Sequence, residues 1–123
     1  MAQTETYGWA FTASLAGARP APAIVETYRR LFAAQHHRPL VPILRAFLDE
    51  NYYSRLGEIT LPCTVVYGLS DKTTPALHSE AIAQGIPNAR LVRVPAAGHL
   101  INWEASERIA DIIQMAAQPV LVQ

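Results

Sequence analysis

Asp71 and His99 are the residues of this chain whose types and setting suit joint chemistry. Asp71 stands in Gly68-Leu69-Ser70-Asp71-Lys72-Thr73-Thr74-Pro75, and His99 in Pro95-Ala96-Ala97-Gly98-His99-Leu100, 28 residues further on. A carboxylate bonded to one imidazole nitrogen fixes the tautomer and stabilises the imidazolium, which leaves the other nitrogen free to move a proton. Each residue also has a plainer use. An aspartate shortly before a helix serves as a cap, and a loop histidine often binds a backbone group. Capping and orienting an imidazole are compatible roles for Asp71.

For the pair to meet, the flanking elements must carry two loops to one edge. Cys63 to Tyr67 is a short β-prone run between Pro62 and Gly68, as expected for a strand buried on both faces. Pro75 suits the first position of a helix capped by Thr73 or Thr74, Leu77, Ala81 and Ile82 form its apolar stripe, and Gly85 suits its stop. After the turn Ile86-Pro87-Asn88, a second strand is predicted from Ala89 to Val94 and a closing helix from Glu107 to Ala117, with Ile109, Ile112, Ile113 and Ala116 facing inward. A helix between two strands makes them parallel, so both end at the same edge, where open parallel sheets bind and react. Two such strands cannot close a sheet by themselves, and a partner is expected at the open edge.

Upstream, the residues through Pro22 show neither helical period nor strand alternation, and an irregular or short helical lead-in is expected. From Ala23 to about His37, Ile24, Tyr28, Leu31 and Phe32 share one helical face until Pro39. A second helix, ending near Gly57, places Leu40, Val41, Leu44, Phe47 and Leu48 opposite Arg45, Asp49 and Glu50. These two helices are expected to pair. The aromatics Trp9, Phe11, Tyr28, Phe32, Phe47, Tyr52 and Tyr53 either pack or line an apolar pocket, and packing is the commoner use at helical spacing.

Composition excludes several classes. The 123 residues carry ten Lys+Arg against ten Asp+Glu and are 50% hydrophobic, which fits one globular unit. With a net +2 on residues 1–57 and −2 on residues 58–123, no single-sign field invites nucleic acid. The longest stretch without Asp, Glu, Lys or Arg is the 13 residues Thr6 to Ala18, short of the roughly 20 that span a bilayer. Glu5 is the only charge before Arg19, so no export signal is read and a cytoplasmic location is expected. Cys63, alone, forms no internal disulfide and is expected to be buried and inert. His36 and His37 diverge on a helix and His78 is remote, so these three read as solvated or structural rather than metal-binding.

The order of these motifs resembles the C-terminal half of the α/β-hydrolase fold family. The resemblance rests on a strand followed by Gly68, Asp71 and Pro75, then Ile86 to Leu91, then a strand and Ala97-Gly98-His99, then Glu104 leading into a last helix, and covers about residues 58–117. It implies an α/β fold: strand, helix, strand, helix from a parallel sheet in residues 58–123, preceded by a lid-like helical segment in residues 1–57. By position, Asp71 would be the acid that orients the base, and His99 the base that deprotonates a nucleophile or water. No cofactor is implied. Ser106 stands where the family often has proline.

The family's nucleophile lies on a turn of the form G-x-S-x-G, or with Asp or Cys for Ser, ahead of these strands. Neither Ser14, Ser54, Ser70, Ser79 nor Ser106 sits in such a turn. The nearest imitation, Gly68-Leu69-Ser70-Asp71-Lys72, lacks the second glycine. The expectation is therefore part of a hydrolase for small apolar esters, epoxides or related substrates, inactive by itself. The alternatives are a non-catalytic binding or dimerisation module, or a half completed by a nucleophile-bearing chain at the open sheet edge.

Overall fold

The computed structural model describes residues 2–35 and 39–117; the expectations for His36 and His37 lie outside the described residues. Their order is α1 (Ala2–Leu15), α2 (Pro22–Ala33), α3 (Leu40–Leu48), a 3₁₀ turn (Tyr53–Glu58), β1 (Thr64–Gly68), α4 (Ala76–Gly85), β2 (Arg90–Val94), α5 (Ile101–Glu104) and α6 (Ser106–Ala117). β1 and β2 are parallel, with Thr64 opposite Arg90 and Gly68 opposite Val94. The α/β architecture read from the sequence is thus present, and both strands end at one edge.

Side-chain alternation builds the layers. Tyr67 and Arg93 face α4, where the Tyr67 hydroxyl donates to Glu80 Oε1 at 3.0 Å and Arg93 reaches both groups, at 3.0 and 3.1 Å. Those bonds, to Tyr67 first and then Arg93, hold the Glu80 carboxyl below its usual range. On the other face Thr64, Val66 and Arg90 line an open groove of about 450 Å³ with Ile109, Ile112 and the helix α6 behind them. Ile112 is buried, whereas Ile113 is 62% exposed, so the inward face predicted for α6 is narrower than its apolar stripe. Thr64, Val65 and Val66 are half-buried rather than buried, because among the described residues β1 pairs with β2 alone. Cys63 precedes the strand, is free and half-buried, and borders the same groove.

The helical segment departs further from expectation. Residues 2–15 form one α-helix although the sequence lacks an amphipathic stripe there. Within it Thr12 is buried to 1% exposure, and Phe11 meets Phe32 of α2 in a tilted ring contact with centroids 4.7 Å apart. Small residues allow close approach without leaving a hydrophobic period to read, and tertiary packing supplies the helical stability. The helix packed on α2 is thus α1, not α3. The run expected to continue to Gly57 stops at Leu48, since Asn51 Oδ1 accepts the Tyr53 amide at 3.1 Å and starts a separate 3₁₀ turn. Phe47 and Leu48 remain 76% and 82% exposed. On α2, Glu26 is drawn down to about 2 by hydrogen bonds from Arg29 and Arg30.

Candidate functional site

Beyond the strand ends the backbone ladder continues into the two loops. Leu69 N–H donates to Val94 O at 3.0 Å and Ser70 N–H to Ala97 O at 2.9 Å, which ties the loop after β1 to the loop after β2. Gly68 permits this approach: a Cβ there would overlap the Ala97 carbonyl. Ala96, with φ of 62°, turns the chain after Pro95. The result brings Asp71 and His99 together as expected, with Nδ1 of His99 3.1 Å from Oδ2 of Asp71.

The carboxylate is well held. Its Oδ1 accepts the Thr73 and Thr74 amides at 2.8 and 2.9 Å, and its Oδ2 accepts the Thr74 hydroxyl at 2.7 Å. The amides before α4 are therefore satisfied by Asp71 rather than by a threonine cap, and Pro75 precedes the helix without side-chain capping. The Asp71 side chain is only 7% exposed, and that of His99 is 39% exposed. Burial works to raise the Asp71 pKa, but the hydrogen bonds from Thr74, His99 and Thr73 outweigh it and leave the carboxyl below its ordinary value. An ionised carboxylate only accepts, so the network assigns the proton of neutral His99 to Nδ1 and leaves Nε2 with its lone pair. That nitrogen can take a proton from a neighbouring hydroxyl or water.

The loop of His99 is fixed from the helical side as well. His99 N–H donates to Leu15 O at 2.8 Å and Ala18 N–H to Ala96 O at 3.1 Å. Glu104, half-buried at the end of α5, accepts Gly98 N–H on Oε2 at 2.7 Å and Gly17 N–H on Oε1 at 2.5 Å. The sequence marked Glu104 only as part of a motif and Thr74 only as a cap; the spacing Asp-x-x-Thr is the local signal for the second, while the first bridges 87 residues. An open cleft of about 320 Å³, lined by Ser14, Gly17, Leu69, Ser70 and Asp71, separates the end of α1 from the loop after β1.

His78, by contrast, pairs with the Tyr53 hydroxyl at 2.8 Å, away from this site. Tyr28 packs edge-on against Trp103, centroids 5.5 Å apart. Among the described residues, no three His, Cys, Asp or Glu side chains gather in a group that could hold a metal ion. No described helix is long and apolar enough to cross a membrane.

A family model for the alpha/beta hydrolase fold matches residues 3–106. The chain belongs to the α/β-hydrolase fold family. Among relatives within it, a 2-hydroxy-6-oxononadienedioate/2-hydroxy-6-oxononatrienedioate hydrolase of Cupriavidus pinatubonensis is 41% identical over 54 residues, 44% of this chain and 19% of that protein. A second hydrolase of that name, from Dechloromonas aromatica, is 34% identical over 63 residues, 51% of this chain and 22% of its own. In structure, a hydrolase from Pseudomonas aeruginosa superposes with a TM-score of 0.80 at 28% identity, over 93% of this chain and 44% of that one. A bromoperoxidase from Bacillus anthracis shares the fold with a TM-score of 0.79 at 15% identity, over 91% of this chain and 43% of that one. The chain thus spans less than half of these α/β-hydrolase fold structures.

Proposed function

We propose that this chain carries the acid and base of a hydrolytic site, Asp71 orienting and His99 abstracting the proton. The observation that supports the reading is the bond from His99 Nδ1 to a carboxylate held ionised by three further donors, at the edge where parallel sheets act. Residues 1–57 would be the lid-like segment over the substrate, and residues 58–123 the part of the core that presents the pair. The substrate would be a small apolar ester, epoxide or related compound; the relatives named for hydrolysis of dienedioates would extend that range to a charged dicarboxylate. The reaction would take place in the cytoplasm.

No residue of the 123 stands in a nucleophile turn. The nucleophile would come from parallel strands added at the free edge of β1, as the remaining part of a family hydrolase or, alternatively, as a complementing polypeptide. Losing the nucleophile removes nearly all of a triad's contribution, so the chain alone should be inactive. The test is hydrolysis of a short-chain nitrophenyl ester, by the chain alone and after co-expression with the nucleophile-bearing portion of a family hydrolase. Turnover only in the assembled form, lost in His99→Ala and Asp71→Ala, is the expected result. Assembly without His99-dependent turnover sinks the reading.

A second reading has one feature in its favour: the uncovered apolar side of α3, with Ile43, Leu44, Phe47 and Leu48 all more than half exposed. A non-catalytic module would use that surface, or the strand edge, to bind a second copy. A stable, cooperatively unfolding oligomer with no turnover in any combination would favour it.

A further inference from the structure

Gly17 and Gly98 lie backbone to backbone. A Cβ on Gly98 would stand 2.5 Å from both Ala16 C and Gly17 N, and one on Gly17 would overlap the Ala96 carbonyl. Two amides brought this close to other backbone, one buried and one half-buried, cannot rely on water, and an unpaired buried donor is costly. Glu104 serves both, one on each carboxylate oxygen. A carboxyl group has an acceptor oxygen for each amide, whereas a glutamine of the same shape offers one acceptor and must point its NH2 at the other amide.

The residues tied in this way are neighbours of the site. Gly98 precedes His99, whose own amide is bonded to Leu15 O, and Gly17 lies in the link from α1 to α2. We propose that Glu104 is the positioning residue of this site: its carboxylate locks the end of α1 to the His99 loop, so that the imidazole and the helical segment above it keep one register. The inference rests on the reading of Asp71 and His99 as acid and base and names what holds the base in place. Glu104 touches neither partner directly. It acts through the Gly98 peptide, and a shift of that peptide moves Nδ1 away from Asp71, where the 3.1 Å contact has little slack.

The test is proton NMR and amide exchange on the whole chain. In the wild type the Gly17 and Gly98 amides should be protected, and a downfield resonance from the His99 Nδ1 proton should be visible and lost in Asp71→Asn. In Glu104→Gln at least one of the two amides should exchange tenfold faster or more, and the Nδ1 resonance should broaden or disappear. The Tyr67 and Val92 amides of the strand pair should keep their protection. Glu107→Gln, on the exposed first turn of α6, should change none of these. If Glu104→Gln does not fold, Glu104→Asp keeps the charge, reaches one amide at most, and should give the same losses in part. An Nδ1 resonance unchanged while the glycine amides open would overturn the proposal and leave Glu104 a structural brace. Free exchange of both amides in the wild type would also overturn it. None of these readouts uses turnover, so failure of the hydrolytic reading and failure of the positioning role are separate results.

Discussion

Thr74 engages Asp71 through both carboxylate oxygens, its hydroxyl 2.7 Å from Oδ2 and its amide 2.9 Å from Oδ1. The hydroxyl shares Oδ2 with His99, so one oxygen has two donors competing for it and a fixed place between them. Thr74→Val keeps the shape and the backbone amide but removes the hydroxyl donor. A charged group that loses one hydrogen bond costs about 1–3 kcal/mol. Urea unfolding at pH 7 should show a loss in that range, and the Asp71 pKa, followed by carboxyl NMR, should move up toward its ordinary value.

The depressed pKa of Asp71 also sets a direction for stability against pH. A carboxyl whose folded pKa lies below its unfolded one stabilises the fold fully above the unfolded value, near 3.8. That contribution is lost as the pH falls through the folded pKa. Asp71→Asn should therefore be less stable than wild type at pH 7, and the gap should narrow in unfolding curves taken between about pH 4 and pH 2. In the completed enzyme the same substitution should lower kcat by a factor of about 10³–10⁴, the scale seen when a triad aspartate becomes asparagine and the wrong tautomer is held. A constant gap across that pH window would mean that Asp71 acts only as a neutral acceptor.

How much of this was readable beforehand depended on where the determining contacts lie. The segment from β1 to β2 is punctuated by residues with local consequences: Pro62 and Gly68 bracket the first strand, Pro75 precedes α4, and Asn88, at φ of 59°, makes the turn before β2. The Asp71–His99 pairing follows from parallel topology once those elements are placed. In the helical segment the period of α2 was equally legible, but α1 and the pairing of the helices were not. The α1 helix has no apolar period to read, its buried Thr12 being polar, and its packing on α2 includes the distant contact of Phe11 with Phe32. The Glu104 bridge joins positions 87 apart, beyond any local pattern.

The glycines divide into two groups whose substitution should separate cleanly. A Cβ on Gly68 meets the Ala97 backbone, and a Cβ on Gly98 meets the Ala16–Gly17 backbone, neither of which can yield without moving the loops. Gly68→Ala and Gly98→Ala should each cost about 1–3 kcal/mol or more in thermal or urea unfolding. Gly57, in the 3₁₀ turn, has nothing within 4 Å of such a Cβ and no positive φ. Gly57→Ala should be neutral or stabilise by about 0.4–1 kcal/mol, since alanine restricts the unfolded chain without strain in the folded one.

Phe47 and Leu48 are the most exposed apolar side chains described on α3, and what they contribute depends on whether anything covers them. Within one chain they are solvated, and surface substitutions at such positions usually change stability by no more than about 0.5 kcal/mol. A contiguous exposed apolar surface instead favours contact with other molecules. Phe47→Glu with Leu48→Lys should leave the unfolding midpoint of a dilute sample unchanged. Any concentration-dependent association seen for the wild type by sedimentation or light scattering should weaken in the double variant if α3 is the contact. Association that survives it removes α3 as the contact and turns the test to the free edge of β1, where Val65 and Val66 are only half-buried and the strand can still accept a neighbour. A complementing chain at that edge would then compete with self-association, and adding it should dissociate the oligomer as activity appears.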